Sequence, residues 1–201
     1  MLFNQKKPLI MGILNITPDS FSDGGSYSQL DEIVERAKQM VLDGADIIDV
    51  GGESTRPGSS IVRLEEELSR VIPVIKRLVT EIDVPISIDT YKAEVARQAV
   101  LAGATIINDI GGAKFDPLMP EVMAQTGAYV VLMHNRKPNL EKTNCITAVS
   151  GSLTEYEDIV LTVKKEIMES IDLVKAAGVN QDKIIIDPGI GFAKTGEGNI
   201  E

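Results

Sequence analysis

Apolar positions along this chain fall into two alternating patterns. Short continuous runs at 10–15, 47–52, 86–89, 106–109 and 184–189 each stop abruptly at Asp or Asn and give way to a Gly-rich or Pro-containing loop. A run of four to six apolar residues with no polar alternation suits a strand buried on both faces, as in a parallel sheet covered by helices. Candidate strands begin near Pro8, Ala45, Pro85, Ala104, Ala128 and Lys183. Between most of them the period changes to that of a helix. In 30–42, Ile33, Val34, Ala37, Met40 and Val41 fall on one face, while Asp31, Glu32, Glu35, Arg36 and Lys38 fall mostly on the other. The same reading predicts helices over 62–80, 93–101, 117–125 and 153–177, with Thr90 as an N-cap for the third and Gly178 as a stop for the fifth.

Strict alternation of this kind predicts a single α/β domain of six βα units, its parallel strands joined by right-handed crossovers. A closed barrel and an open sheet both satisfy that pattern. Both bind ligands at the carboxyl ends of their strands, so repeated polar strand endings read as one site assembled from several strands. Loops 17–28 and 53–60 are rich in Gly, Pro and Ser and follow strand ends, where mobile functional loops are carried. The polar stretch 135–152 reads as an irregular insertion.

At 201 residues the chain is long enough for one sizeable core. Its 30 acidic against 20 basic residues exclude a general nucleic-acid or anionic-membrane binder and leave any anion site to local groups. A lone Cys145 excludes an intrachain disulfide and fits a reducing cytoplasm. No signal-like N-terminus is evident, and no apolar run approaches the ~20 residues of a membrane span, so the expected location is cytoplasmic.

Chemistry concentrates at the strand ends. Asp89, Asn108 and Asp187 offer two carboxylates and an amide, suited to the amino-pyrimidinone edge of a flat heterocycle. Two other readings of the same residues are an Asp89/Asp187 acid and base pair for glycoside hydrolysis and simple helix capping by Asp89 and Thr90. Arg56 lies among hydroxyls in Glu53-Ser54-Thr55-Arg56-Pro57-Gly58, a combination suited to phosphate oxygens, or pairs with Glu53 at the surface. Asn15 is placed to help hold a Mg2+ ion that keeps several waters, or forms a turn. His134, the single imidazole, reads first as a packing residue. Lys194-Thr195 fails as a phosphate loop, because Ala193 and Pro188 stand where that motif needs glycine.

The segment 12–25, Gly-Ile-Leu-Asn-Ile-Thr-Pro-Asp-Ser-Phe-Ser-Asp-Gly-Gly, resembles the first signature of the dihydropteroate synthase family. Residues 49–58 resemble the second, and Ile88-Asp89-Thr90, Asn108-Asp109 and 187–192 follow in the family's order. The resemblance implies a TIM (β/α)8 barrel that condenses 6-hydroxymethyl-7,8-dihydropterin diphosphate with 4-aminobenzoate to give 7,8-dihydropteroate and pyrophosphate in folate synthesis. It implies that Asp89, Asn108 and Asp187 hold the pterin, with Met133 lining that pocket. Asn15 would sit at the Mg2+ and the diphosphate, Arg56 would bind the anion, and Thr55, Pro57, Phe21 and Phe192 would frame the aminobenzoate. Asp89, Asp187 and Arg56 are the residues expected to act in catalysis, and no protein nucleophile is required.

The family carries a seventh and an eighth strand with a Lys, an Arg and a His of the site, whereas this chain stops just after the sixth. Such a barrel takes ~250 residues, so residues 1–201 are expected to be one domain that is incomplete at its C-terminal end. The full-length enzyme is expected to be a homodimer. A noncatalytic pterin-binding fragment and a pterin-binding methyltransferase domain are the rival readings. The loops Thr55-Arg56-Pro57-Gly58 and 17–23 favour the synthase.

Overall fold

The computed structural model describes residues 7–16, 27–54, 59–136 and 152–200. Six strands, β1 (Met11–Asn15), β2 (Ile47–Gly51), β3 (Ile86–Asp89), β4 (Ile106–Asp109), β5 (Tyr129–Met133) and β6 (Ile184–Asp187), form one sheet in sequence order. Every neighbouring pair is parallel. The helices between them are α1 (Tyr27–Leu42), α2 (Leu64–Glu81), α3 (Ala93–Ala102), α4 (Met119–Thr126) and α5 (Ile159–Ala177).

Sequential order decides between the two architectures left open by the pattern. A doubly wound sheet reverses its order at a switch point and places helices on both faces. Here the order never reverses, so successive right-handed crossovers put all helices on one face, as in a barrel wall. Two separate apolar clusters follow from this. The larger lies between strands and helices and contains Leu14, Ile48, Val50, Ile88, Ile107, Val130 and Leu132 with Val34, Val71, Ile75, Leu78 and Val174. The smaller lies on the other face and contains Ile47, Ile106 and Val131 with Met11, Tyr129 and Ile185 at its margin.

Burial grades across the sheet. All five residues of β2 are buried, which explains its unbroken apolar run. Edge strands differ: Ile13 on β1 is 60% exposed and Ile186 on β6 is 57% exposed. Among the described residues neither edge has a further partner strand. The central packing is tight enough that truncating the fully buried Ile88 to Ala costs about 2–5 kcal/mol.

Three local expectations need correction. Thr90 is not the N-cap of α3; that position is Lys92, and the first helical amide, Ala93 N, is capped from a distance by Asp116 Oδ2 at 2.9 Å. Thr90 Oγ1 instead accepts from Lys92 N at 3.2 Å and donates to Glu67. The fifth helix begins at Ile159 rather than near 153, after a separate 3-10 turn at Ser152–Thr154. Arg136 Nη1 takes the carbonyls of Leu153 and Glu155, and Asp158 Oδ1 accepts Leu161 N at 2.9 Å, so the helix starts at that cap. The fourth helix starts at Met119 because Asp116 Oδ1 binds Leu118 N at 3.0 Å in a local turn. Gly178 ends α5 in the left-handed region, as its position predicts.

Candidate active site

Parallel register brings the polar ends of the first four strands level with one another, while Met133 and Asp187 stand two residues further along on the fifth and sixth. Asn15 pairs with Gly51, Gly51 with Asp89, Asp89 with Asn108, and Met133 with Asp187. The three predicted pterin-binding residues therefore share one end of the sheet. Gly51 matters here because a methyl group in its place would sit 3.3 Å from Asn15 Oδ1 and 3.4 Å from Asp89 Oδ2. Its bare backbone leaves the space between those two side chains open.

The three floor residues are tied in different ways. Asp187 Oδ1 accepts Gly189 N at 2.7 Å, which leaves its second oxygen available. Asn108 Nδ2 donates to Asp49 Oδ2 at 3.0 Å. The Asp89 carboxylate has no hydrogen bond among the described residues, which removes the helix-capping explanation for it. Burial first, and then the charges of Asp49, Glu67, Asp109 and Glu53, push its pKa well above the ordinary carboxylate range. Burial also raises Asp49, against the pull of Ser87 and Asn108. The Ser87 hydroxyl and Asp49 Oδ1 are both buried without a settled partner.

Asp109 is a different kind of strand end. Its two oxygens accept Gly111 N and Ala113 N, each at 2.7 Å, so it shapes the β4 loop. Burial raises its pKa to about 7 against those two bonds.

Behind β2 and β3 lies an acid-rich cluster. Lys92 Nζ pairs with both Glu53 and Glu67. Tyr91 Oη donates to Glu53 Oε1 at 3.1 Å, and Thr90 Oγ1 to Glu67 Oε1 at 2.7 Å. Burial pulls the Lys92 pKa down, but Glu67 and Glu53 outweigh it and the ammonium lies above its usual value. For Glu67 burial wins over Lys92 and Thr90, and its pKa is raised.

A second cluster stands at β5, β6 and α5. His134 is buried, with Nε2 2.9 Å from Glu166 Oε2 and Nδ1 2.9 Å from Lys194 Nζ. An ammonium has no lone pair to offer, so Lys194 donates to Nδ1 and the imidazole is the neutral Nε2–H tautomer, donating to Glu166. Burial, then Lys194, lowers the His134 pKa. Lys194 Nζ also donates to the carbonyls of Gly189 at 2.9 Å and Phe192 at 3.0 Å, and Tyr156 Oη donates to Ala193 O at 2.7 Å. Loop 188–194 is thus held from inside by one ammonium. Gly189 is required in it: its φ is +68°, and a Cβ would lie 2.0 Å from His134 O. Arg136 grips Glu166 through Nε and Nη2 and stacks 4.0 Å over the Tyr156 ring.

Met133 packs with Ile110 and Phe115, and Tyr91 and Phe192 cover that group. Phe192, expected beside the aminobenzoate, therefore stands with the residue expected to line the pterin pocket. Phe21, Thr55, Arg56 and Pro57 lie outside the described residues. At the ends of β1 and β2 is a cavity of about 530 Å3 lined by Asn15, Glu53, Ser54, Arg36 and Arg70 among others. Arg70 is buried and binds Gly52 O at 2.7 Å. Asn15 is exposed, and its amide oxygen has no partner among the described residues. One hard, neutral oxygen fits a Mg2+ ion that keeps most of its waters and takes its remaining ligands from a diphosphate. Among the described residues no group of three or more His, Cys, Asp or Glu could hold a metal without such help.

Sequence reasoning missed Asp49, Ser87, the Lys92 pairings and the Lys194 clamp. The first two carried a signal: each is a polar residue inside an apolar run, in register on the same face as Gly51 and Asp89. The Lys92 pairings and the Lys194–His134 contact join residues 25 to 60 positions apart, and no local spacing announces them.

A sequentially ordered parallel sheet with acids and amides along its carboxyl edge is a ligand-binding wall of the βα-barrel class. The chain belongs to the family described as pterin binding enzyme, whose model matches residues 11–201. It is 53% identical over 196 residues to the dihydropteroate synthase of Bacillus subtilis, a match covering 98% of this chain and 64% of that relative. The chain thus spans just under two thirds of that relative's length. A crystal structure of dihydropteroate synthase from Clostridium difficile in the presence of pteroic acid superposes with a TM-score of 0.87 at 48% identity, covering 100% of this chain and 71% of the other. The Xanthomonas albilineans dihydropteroate synthase with 4-aminobenzoic acid gives 0.82 at 42% identity, over 97% and 66%.

Proposed function

We propose that this chain carries the pterin and diphosphate side of a dihydropteroate synthase site. The observation that supports it most is the gathering of Asp89, Asn108 and Asp187 at one end of the sheet, Asp89 level with Asn108 and Asp187 two residues further along its strand, each with a polar atom left over after its internal bonds. Such a row suits the donor-rich edge of a pterin. Beside it, Asn15, Arg36 and Arg70 line a cavity together with Glu53 and Glu66; Arg70 is already paired with Glu66 and Gly52 O, so Arg36 is the lining guanidinium most suited to a diphosphate.

The reaction proceeds by cleavage of the C–O bond at the pterin methylene. Pyrophosphate leaves with the electron pair, the amine nitrogen of 4-aminobenzoate supplies the pair for the new C–N bond, and that nitrogen then loses a proton. The positive charge that develops on the pterin falls beside Asp187 and Asp89, so an acid-rich floor stabilises it. Asp89 is held with a raised pKa before a ligand arrives, and a cationic ring relieves that cost. Mg2+, held in part by Asn15, would neutralise the departing pyrophosphate. Arg56 assists the anion, and Thr55, Pro57, Phe21 and Phe192 frame the aminobenzoate. The protein works in the cytoplasm, and the full-length enzyme is a homodimer. Among the described residues no helix is long and apolar enough to cross a membrane.

Titration with 6-hydroxymethyl-7,8-dihydropterin diphosphate, followed by a pyrophosphate-release assay with 4-aminobenzoate, tests this reading. Binding and release together are expected. Binding without release supports a pterin-binding role alone, and no binding of the pterin overturns the assignment.

A further inference from the structure

Asp49 is a buried carboxylate that the reaction above does not use. It sits on β2 one layer below the ligand-binding row, level with Ser87, and is 4% exposed. One of its oxygens receives Asn108 Nδ2 at 3.0 Å, and the other is buried beside the Ser87 hydroxyl on the neighbouring strand. Its service is directional. An Asn amide has a donor end and an acceptor end of nearly equal shape, and only its surroundings decide which end faces a ligand.

We infer that Asp49 is a positioning residue that holds the Asn108 amide nitrogen down into the sheet and leaves the carbonyl oxygen for the ligand. The reversed amide would set Asn108 Oδ1 against Asp49 Oδ2, two acceptors with no hydrogen between them. Once Asn108 is fixed, its carbonyl joins the acceptors of the row, and its Nδ2 keeps one further N–H. Asp187 offers the oxygen not bound to Gly189 N, Asp89 offers a carboxylate without internal partners, and Asn108 offers its carbonyl. Where the ligand meets those oxygens, its edge must then carry N–H donors. Resting on the proposed function, this names what the floor selects: the 2-amino form of the pteridine over the 2-oxo form, which places an acceptor where the amino group would donate.

The test compares 6-hydroxymethylpterin with 6-hydroxymethyllumazine, by titration at neutral pH, on the unsubstituted chain and on Asp49→Asn. The original chain is expected to bind the pterin at least 100-fold more tightly. In Asp49→Asn, either end of residue 49 can face Asn108, so the amide is free to turn and the preference should fall at least tenfold. Weakening of both ligands by the same factor, or an unchanged preference, overturns the positioning role. A second measurement needs no ligand and no variant: hydrogen exchange of the Asn108 side-chain amide by NMR. Slowed exchange in the unsubstituted chain is expected, and exchange as fast as that of an exposed Asn overturns the inference. If neither pteridine binds the unsubstituted chain, the functional reading falls, and the exchange rate still decides the role of Asp49.

Discussion

The charged cluster behind β2 and β3 and the cluster joining β5, β6 and α5 respond to burial in opposite directions. In the first, Glu53 and Glu67 share the ammonium of Lys92, while Asp49 and Asp89 have no ion pair among the described residues. The pKa values of Glu67, Asp49 and Asp89 rise, and the cluster is poised to accept N–H donors or a cationic ring. In the second, Glu166 lies between Arg136 and His134, with Lys194 beyond. Burial works against ionised Glu166, but Arg136 and His134 hold its pKa below normal, while His134 and Lys194 are themselves lowered. The acid-rich side is suited to contact with a ligand, and the cation-rich side holds the loop that carries Phe192. One end of the sheet thus separates recognition from support by the sign of its excess charge.

The sharpest way to break this contrast is Lys92→Met. It strips the counter-ion from two glutamates whose side chains are 6% and 1% exposed, so unfolding in denaturant should show a loss of about 3–5 kcal/mol. A loss below about 1 kcal/mol would mean that the acids were already neutral and that the cluster is not an ion network.

The next effect is a pH dependence on the opposite side. Burial pulls Lys194 down to about 8, against the charges of Asp187 and Glu166. Its folded pKa is then below its unfolded value of 10.5. Between those two values the unfolded chain holds a proton that the native chain has released, so stability rises with pH across that window. Relative to Lys194→Met, the unsubstituted chain should gain up to about 3 kcal/mol between pH 8 and pH 10.5. Parallel stability curves for the two proteins would remove Lys194 as the titrating clamp.

Asp187→Asn sharpens the division between recognition and support. An Asn oxygen can still accept Gly189 N, so the loop is spared, while the charge offered to the ligand is lost. Pterin affinity should weaken by about 10- to 100-fold, the scale of one charged hydrogen bond, with little change in unfolding. Equal damage to stability and affinity would contradict the separation. Arg97→Ala serves as the smallest case: its pair with Glu94 is largely exposed, and the unfolding midpoint should not move measurably.

Much of this was legible in the sequence because strand ends are local. The apolar runs located the strands, and the residues that close three of them, Asp89, Asn108 and Asp187, lie on the shared edge as expected. Helix starts were less legible. Asp116 caps α3 from a loop 23 residues on, and Arg136 takes the carbonyls before α5, so each boundary depends on a distant side chain. Lys194 shows the same limit. As part of a phosphate motif it fails, and its actual partner, His134, is 60 positions away. Asp49 was hidden for another reason: it lies within an apolar run, where it is read as an interruption of a strand rather than as part of a site.

The sequential strand order bears on how the chain is made. Each strand pairs only with the one synthesised just before it, so the sheet can grow outward as the polypeptide leaves the ribosome, with no earlier strand waiting for a late insertion. Strand β1 is the exception. Among the described residues its outer edge and Ile13 gain no cover from any later unit, so for a nascent chain an aggregation hazard sits at β1.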